Sequence, residues 1–132
     1  MIDSNNFIRV ASFSIPSLKH YFRGCKISSD GLCVLTDCSD GIFRLFNISN
    51  SVLLREDDWS NPNLAFHVGN SIYDFCWCPN PQTASIFISS NRRRPIQAWD
   101  AWNGELVASY RAYNHLDEVI YHTAMCFLQT KF

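Results

Sequence analysis

The chain has 132 residues, 47% of them hydrophobic and 14% aromatic, which places it among sequences that bury one compact core rather than among disordered ones. Eleven Lys plus Arg against twelve Asp plus Glu leave a formal charge of −1, so no chain-wide basic field exists to hold nucleic acid or a membrane surface, and any such contact must be local. No apolar run approaches the roughly 18–20 residues of a membrane span, and Met1 to Val10 has neither the basic start nor the continuous apolar stretch of a secretory signal, so a soluble intracellular protein is expected.

Helical periodicity is nearly absent. Short runs rich in Val, Ile, Phe, Tyr and Trp alternate with clusters of Gly, Asp, Asn, Ser and Pro, the pattern of an all-β fold. In chain order the predicted strands are Arg23–Ser28, Leu32–Asp37, Ile42–Asn47, Ala65–Val68, Ile72–Cys78, Ser85–Ser89, Pro95–Asp100, Glu105–Arg111 and Val119–Phe127. Ser28-Ser29-Asp30-Gly31 and Ser39-Asp40-Gly41 read as hairpin tips, because each pairs an Asp that bonds nearby backbone with a Gly that tolerates positive φ. The segment Ser49 to Asn63, with Glu56-Asp57-Asp58, reads as a solvent loop.

Six cysteines without a secretion signal read as free thiols, with Cys33, Cys76, Cys78 and Cys126 acting as small hydrophobes inside apolar runs. Cys76-Trp77-Cys78 has no second pair beside it, so no zinc site is expected, and the four histidines are scattered. No cofactor is implied. There is no Gly-x-Ser-x-Gly elbow, phosphate-cradling Gly-rich loop or His-Glu-x-x-His helix, and His115-Leu116-Asp117-Glu118 is a turn-like cluster without a shaped pocket, so the protein is not expected to be an enzyme.

Self-similarity decides the architecture. Cys25 and Cys76 stand 51 positions apart, Cys76 and Cys126 stand 50 apart, and the strand ends Phe46-Asn47 and Trp99-Asp100 stand 53 apart. A period near fifty with a Trp-Asp closing the third strand points to WD40 β-propeller blades with a lengthened loop. Asp40, Phe46, Asn47, Trp99 and Asp100 take the structural positions, with Phe-Asn standing in for Trp-Asp in the first unit. The expected organisation is an N-terminal segment 1–12, a first blade with its acidic loop over 13–68, a second over 69–118, and the start of a third over 119–132. About two and a half blades cannot close a ring of 4–8, so the expectation is an open, truncated piece of a propeller.

The strings Ile72-Tyr73-Asp74-Phe75-Cys76-Trp77, Pro95-Ile96-Gln97-Ala98-Trp99-Asp100-Ala101, Gly104-Glu105-Leu106 and Tyr110 to Glu118 resemble the telomerase Cajal body protein family of WD-repeat proteins. Phe22-Arg23-Gly24-Cys25-Lys26 and Asp30-Gly31 extend the likeness upstream, so it covers about residues 13 to 127. The resemblance implies a non-catalytic role. It implies binding of small Cajal-body RNAs and telomerase RNA, association with H/ACA ribonucleoprotein and telomerase subunits, and a nuclear, Cajal-body location serving telomere maintenance. The alternatives are a generic WD40 scaffold for protein partners or a fragment without function.

In a WD40 blade the loop between the second and third strands and the loop into the next blade emerge on one face. Arg92, Arg93 and Arg94 fall in the first kind of loop, and Ala112 to Glu118 in the second. Consecutive arginines grip phosphates or stack on splayed bases, and Tyr113 offers an aromatic platform, a combination suited to single-stranded RNA. The competing reading is a solvated turn whose arginines pair with Asp117 or Glu118. Arg111 reads either as a further RNA contact or as an anchor of the loop through Asp117.

Overall fold

The computed structural model describes residues 19–48, 61–69 and 71–127; the expected segment 1–12 and most of the acidic loop lie outside them. Two four-stranded antiparallel sheets follow one another along the chain. The first has the order β1-β2-β3-β4, with β1 Phe22–Ile27, β2 Cys33–Cys38, β3 Ile42–Asn47 and β4 Leu64–His67. The second has the order β5-β6-β7-β8, with β5 Ile72–Trp77, β6 Ile86–Asn91, β7 Ile96–Asp100 and β8 Leu106–Tyr110. A two-stranded ribbon, β9 Ala112–Tyr113 and β10 Val119–Ile120, comes last. Each sheet is a meander, the strand arrangement of a propeller blade, and the described residues form an open pair of blades rather than a ring.

Turn chemistry fixes the hairpins. Asp30 Oδ1 accepts from Ser28 Oγ at 2.5 Å and from Leu32 N at 3.0 Å, and Gly31 follows at φ 74°. Asp40 Oδ1 accepts from Ile42 N at 3.0 Å beside Gly41 at φ 77°. Asp100 Oδ1 accepts from Trp102 N at 2.9 Å, the tie to its adjacent turn that an Asp at this position makes. The β5–β6 connection contains a single 3-10 turn, Pro81–Thr83, capped by the Asn80 side chain on Gln82 N.

The core lies between the two sheets. Strand alternation turns Leu35, Phe43 and Leu45 of the first sheet toward Phe75, Trp77, Phe87 and Trp99 of the second. Phe43 meets Phe75 and Phe87 edge-on, with ring centroids 5.2 and 5.1 Å away, and Phe66 of β4 sits 5.6 Å from Trp99. Trp99 is buried and donates from Nε1 to Ser89 Oγ at 3.0 Å. Phe46, at the matching place in the first sheet, is buried on the opposite face of β3 from Phe43, alongside Arg44, while Asn47 ends the strand exposed. The Arg44 guanidinium forks onto Asp40, Nη2 to Oδ2 at 2.7 Å and Nη1 to Oδ1 at 3.3 Å. Burial pushes the Asp40 carboxyl up, but the bonds from Arg44 and Ile42 N outweigh it and hold the group below its ordinary range.

The inner strands are joined by one polar cluster. Lys26 Nζ on β1 donates to Asp74 Oδ1 on β5 at 3.0 Å and to the Phe75 carbonyl, and lies 5.0 Å over the Phe75 ring. Trp77 Nε1 donates to the Lys26 carbonyl at 2.9 Å. Asp74 Oδ2 accepts from Met125 N at 2.8 Å, which seats the chain after the ribbon against the second sheet.

Three expectations change. Instead of a strand over Val119–Phe127, only Val119–Ile120 is a strand, because it folds back on Ala112–Tyr113, and residues 121–127 pair with no strand among the described residues. The repeat is also shifted by one residue on the inner strands. Matching bulges at Phe22/Gly24 and Ile72/Asp74 set an offset of 50, so Lys26 rather than Cys25 corresponds to Cys76. A slip of one residue reverses the face, which is why Lys26 reaches the second sheet. The third change concerns the thiols: Cys126 is exposed, while Cys38, not among those expected inside, is the buried one.

Candidate nucleic-acid interface

Antiparallel meanders send alternate connections to opposite ends of the sheets. The β2–β3 turn, the β4–β5 connection, the β6–β7 turn and the exit of β8 therefore share one end. Their contacts bear this out. Val68 N donates to the Gly41 carbonyl at 3.1 Å, and a Cβ on Gly41 would run into the Gly69 carbonyl, so the first two connections touch.

Arg92, Arg93 and Arg94 form the β6–β7 turn, and this turn is clamped onto the β4–β5 connection. Arg92 N donates to the Ser71 carbonyl at 3.0 Å, and Asn91 Nδ2, on a fully buried side chain, donates to the Val68 carbonyl at 3.0 Å. Arg93 has φ 58° and Ser71 φ 56°, a left-handed backbone that costs a non-glycine residue strain and persists where its surroundings impose it. The Arg94 guanidinium lies flat against Gly69, whose φ is 107°; a Cβ there would stand 3.1 Å from Nε and 3.2 Å from Cζ. All three arginines are exposed, and none makes an ion pair with a described residue.

Arg111 is exposed between β8 and β9, and Tyr113 on β9 keeps 54% of its surface in solvent. Among the described residues no ion pair joins Arg111 to Asp117, and Asp117 contributes its backbone N–H, which donates to the Asn114 carbonyl at 3.1 Å, rather than its carboxylate. The Asn114 side chain holds the ribbon: its Oδ1 accepts from Leu116 N at 2.8 Å and Glu118 N at 3.0 Å, and its Nδ2 donates to Glu118 Oε2 at 2.8 Å. Asp117 takes φ 59° at the ribbon's tip. Sequence reasoning missed Asn114, although an Asn followed two residues later by a turn is a recognisable backbone mimic. It also missed the seating of Arg94 on Gly69, for which no local signal exists. The structure thus binds the arginine turn to Ser71, Val68 and Gly69, and places Arg111 and Tyr113 at the same end. No hydrogen bond or ion pair joins the turn to the ribbon among the described residues.

No protein-family profile matches the chain. Mouse telomerase Cajal body protein 1 is 38% identical over 118 residues, which cover 83% of this chain and 22% of that protein. The human protein of the same name is 38% identical over 118 residues, covering 83% and 21%. The Drosophila melanogaster homolog is 31% identical over 124 residues, covering 83% and 22%. Among solved structures, the C-terminal WD40 domain of Sif2 matches with a TM-score of 0.53 at 18% identity over 76% of this chain and 26% of that one, a likeness of fold alone. Two consecutive four-stranded meanders with a buried Trp99 beside Asp100, together with these identities, make the chain a WD-repeat protein related to the telomerase Cajal body protein family, whose curated relatives it spans for about 22% of their length.

Proposed function

We propose that the chain is a non-catalytic RNA- and ribonucleoprotein-binding unit, in which Arg92, Arg93 and Arg94 grip backbone phosphates while Arg111 and Tyr113 supply a further cation and a stacking surface. The RNAs are of the kind the family resemblance implies, small Cajal-body RNAs and telomerase RNA, with H/ACA ribonucleoprotein and telomerase subunits as protein partners and the nuclear Cajal body as the location. The domain division that accompanies this reading is a first blade over 13–68, a second over 69–118 and the start of a third over 119–132. One observation carries the RNA-binding part: three consecutive exposed guanidinium groups, without acidic partners among the described residues, are held on a turn whose backbone is fixed from beneath.

The test is capture of a single-stranded RNA oligonucleotide by the full chain across a salt series. Replacing Arg92, Arg93 and Arg94 together by Ala should weaken capture and flatten the dependence of log K on log salt by about 0.7 for each phosphate that is no longer neutralised. Unchanged affinity and slope would reject the arginine turn as the site. A protein-binding scaffold is the second reading, favoured by Leu106, Val107 and Tyr110, which are exposed on the edge strand β8. It predicts that ultraviolet crosslinking labels protein and no RNA.

A further inference from the structure

The net charge of −1 conceals two ends of opposite character. The end just described carries Lys19, Arg23, Arg44, Arg92, Arg93, Arg94 and Arg111 against Asp37, Asp40, Asp117 and Glu118, with Arg23 paired to Asp37 and Arg44 to Asp40. At the other end, the described residues of the turns and strand termini, 28–33, 47–48, 61–64, 78–85 and 100–106, include Asp30, Asp100 and Glu105 and no Lys, Arg or His.

A cleft of about 180 Å³ opens at this second end between the sheets. Leu45, Leu64, Trp77 and Ala101 form its floor. Asp30, Asn47, Asn63 and Ser85 stand at its mouth, and Trp102, with 78% of its surface in solvent, flanks it. The volume falls below the roughly 300–1,000 Å³ that small-molecule sites occupy, so it suits one inserted side chain. The rim then decides what accompanies that side chain. Asp30 spends part of its acceptor capacity on Ser28 Oγ and Leu32 N, and an ionised carboxylate has about four lone-pair sites. The Ser28 bond, chiefly, also holds its carboxyl below the ordinary range. An open indole face beside it is the preferred seat of a cation.

We propose that this cleft docks a basic peptide segment of a partner protein, inserting one leucine- or methionine-sized side chain between Leu45, Leu64, Trp77 and Ala101 while a neighbouring Arg or Lys lies on Trp102 and faces Asp30. The peptide site and the arginine turn lie at opposite ends of the sheets, so a protein and an RNA bind together without competing, and either site can fail without the other.

Fluorescence anisotropy with the full chain and the fluorescein-labelled peptide Gly-Arg-Leu-Arg-Gly tests this, with Gly-Glu-Leu-Glu-Gly as comparison. Saturable binding of the arginine peptide alone is expected. Asp30→Asn, which keeps an acceptor for Leu32 N, and Trp102→Ala, at an exposed position, should each weaken it about fivefold, the scale of one solvent-exposed cation contact. The triple Arg92/Arg93/Arg94→Ala chain should bind the peptide as before, and an RNA oligonucleotide should not displace it. Absence of saturable binding, equal binding of the glutamate peptide, indifference to both variants, or displacement by RNA would each overturn the proposal.

Discussion

Asp74 accepts three hydrogen bonds, from Lys26 Nζ at 3.0 Å, Phe75 N at 2.8 Å and Met125 N at 2.8 Å, and so one carboxylate ties β1, β5 and the segment after the ribbon. Burial raises its pKa, but the bonds from Met125 N, Lys26 and Phe75 N together outweigh burial and leave it below the ordinary value. A carboxyl depressed in the folded state stabilises the fold at pH values above its unfolded pKa, about 3.9, and that contribution fades as the pH falls through the folded value. Asp74→Asn should therefore reduce the unfolding free energy at pH 7 by about 1–2 kcal/mol, the scale of bonds to a charged group. In urea titrations the gap between the two proteins should shrink as the pH is lowered below 4; a gap that stays constant with pH would show that the charge of Asp74 contributes nothing.

At the scale of elements, the arginine turn depends on a glycine in another connection. Gly69 combines φ 107° with the Arg94 guanidinium packed on its open side, so Gly69→Ala imposes backbone strain and displaces Arg94 at once. The strain alone costs about 1 kcal/mol. Gly31 is the natural control, since its φ of 74° carries the same kind of penalty with nothing within 4 Å of the added methyl. Gly69→Ala should lower RNA capture although no cation is removed, whereas Gly31→Ala should lower stability and leave capture unchanged; equal capture by both would uncouple the turn from its support. The pair also marks what a sequence discloses. Asp30-Gly31 and Asp40-Gly41 announce their hairpins locally, and the eight strands of the two sheets lie close to their expected positions for that reason. The seat of Arg94 on Gly69 and the reach of Lys26 to Asp74 join residues 25 and 48 positions apart. Contacts of that kind depend on how one sheet is set against the next, which no local pattern encodes. The ribbon was hidden for a different reason: two-residue strands are too short for alternation to register.

For the molecule as a whole, stability resides in the seam between sheets. Phe43 is fully buried and touches Phe66, Phe75 and Phe87, so it belongs to both sheets equally. Phe43→Ala should cost about 3–5 kcal/mol, the range for truncating a buried phenylalanine. The loss should appear in both sheets together: hydrogen exchange ought to quicken for amides of β5 to β8 as much as for β2 and β3. Protection retained in one sheet alone would mean that the sheets fold independently.

Gly104 shows where this seam leads. Its Cβ position lies 3.2 Å from the Phe66 ring, so the β7–β8 turn of the second sheet laps over the outermost strand of the first. The surface that the first sheet offers its successor, Phe43 and Phe66, differs from the surface that the second sheet offers its predecessor, Phe75, Trp77 and Trp99. Such a stack has polarity. Units built this way join head to tail, a heterologous arrangement in which the sense of rotation is set by the chain itself and a two-fold related pairing through the same seam is ruled out.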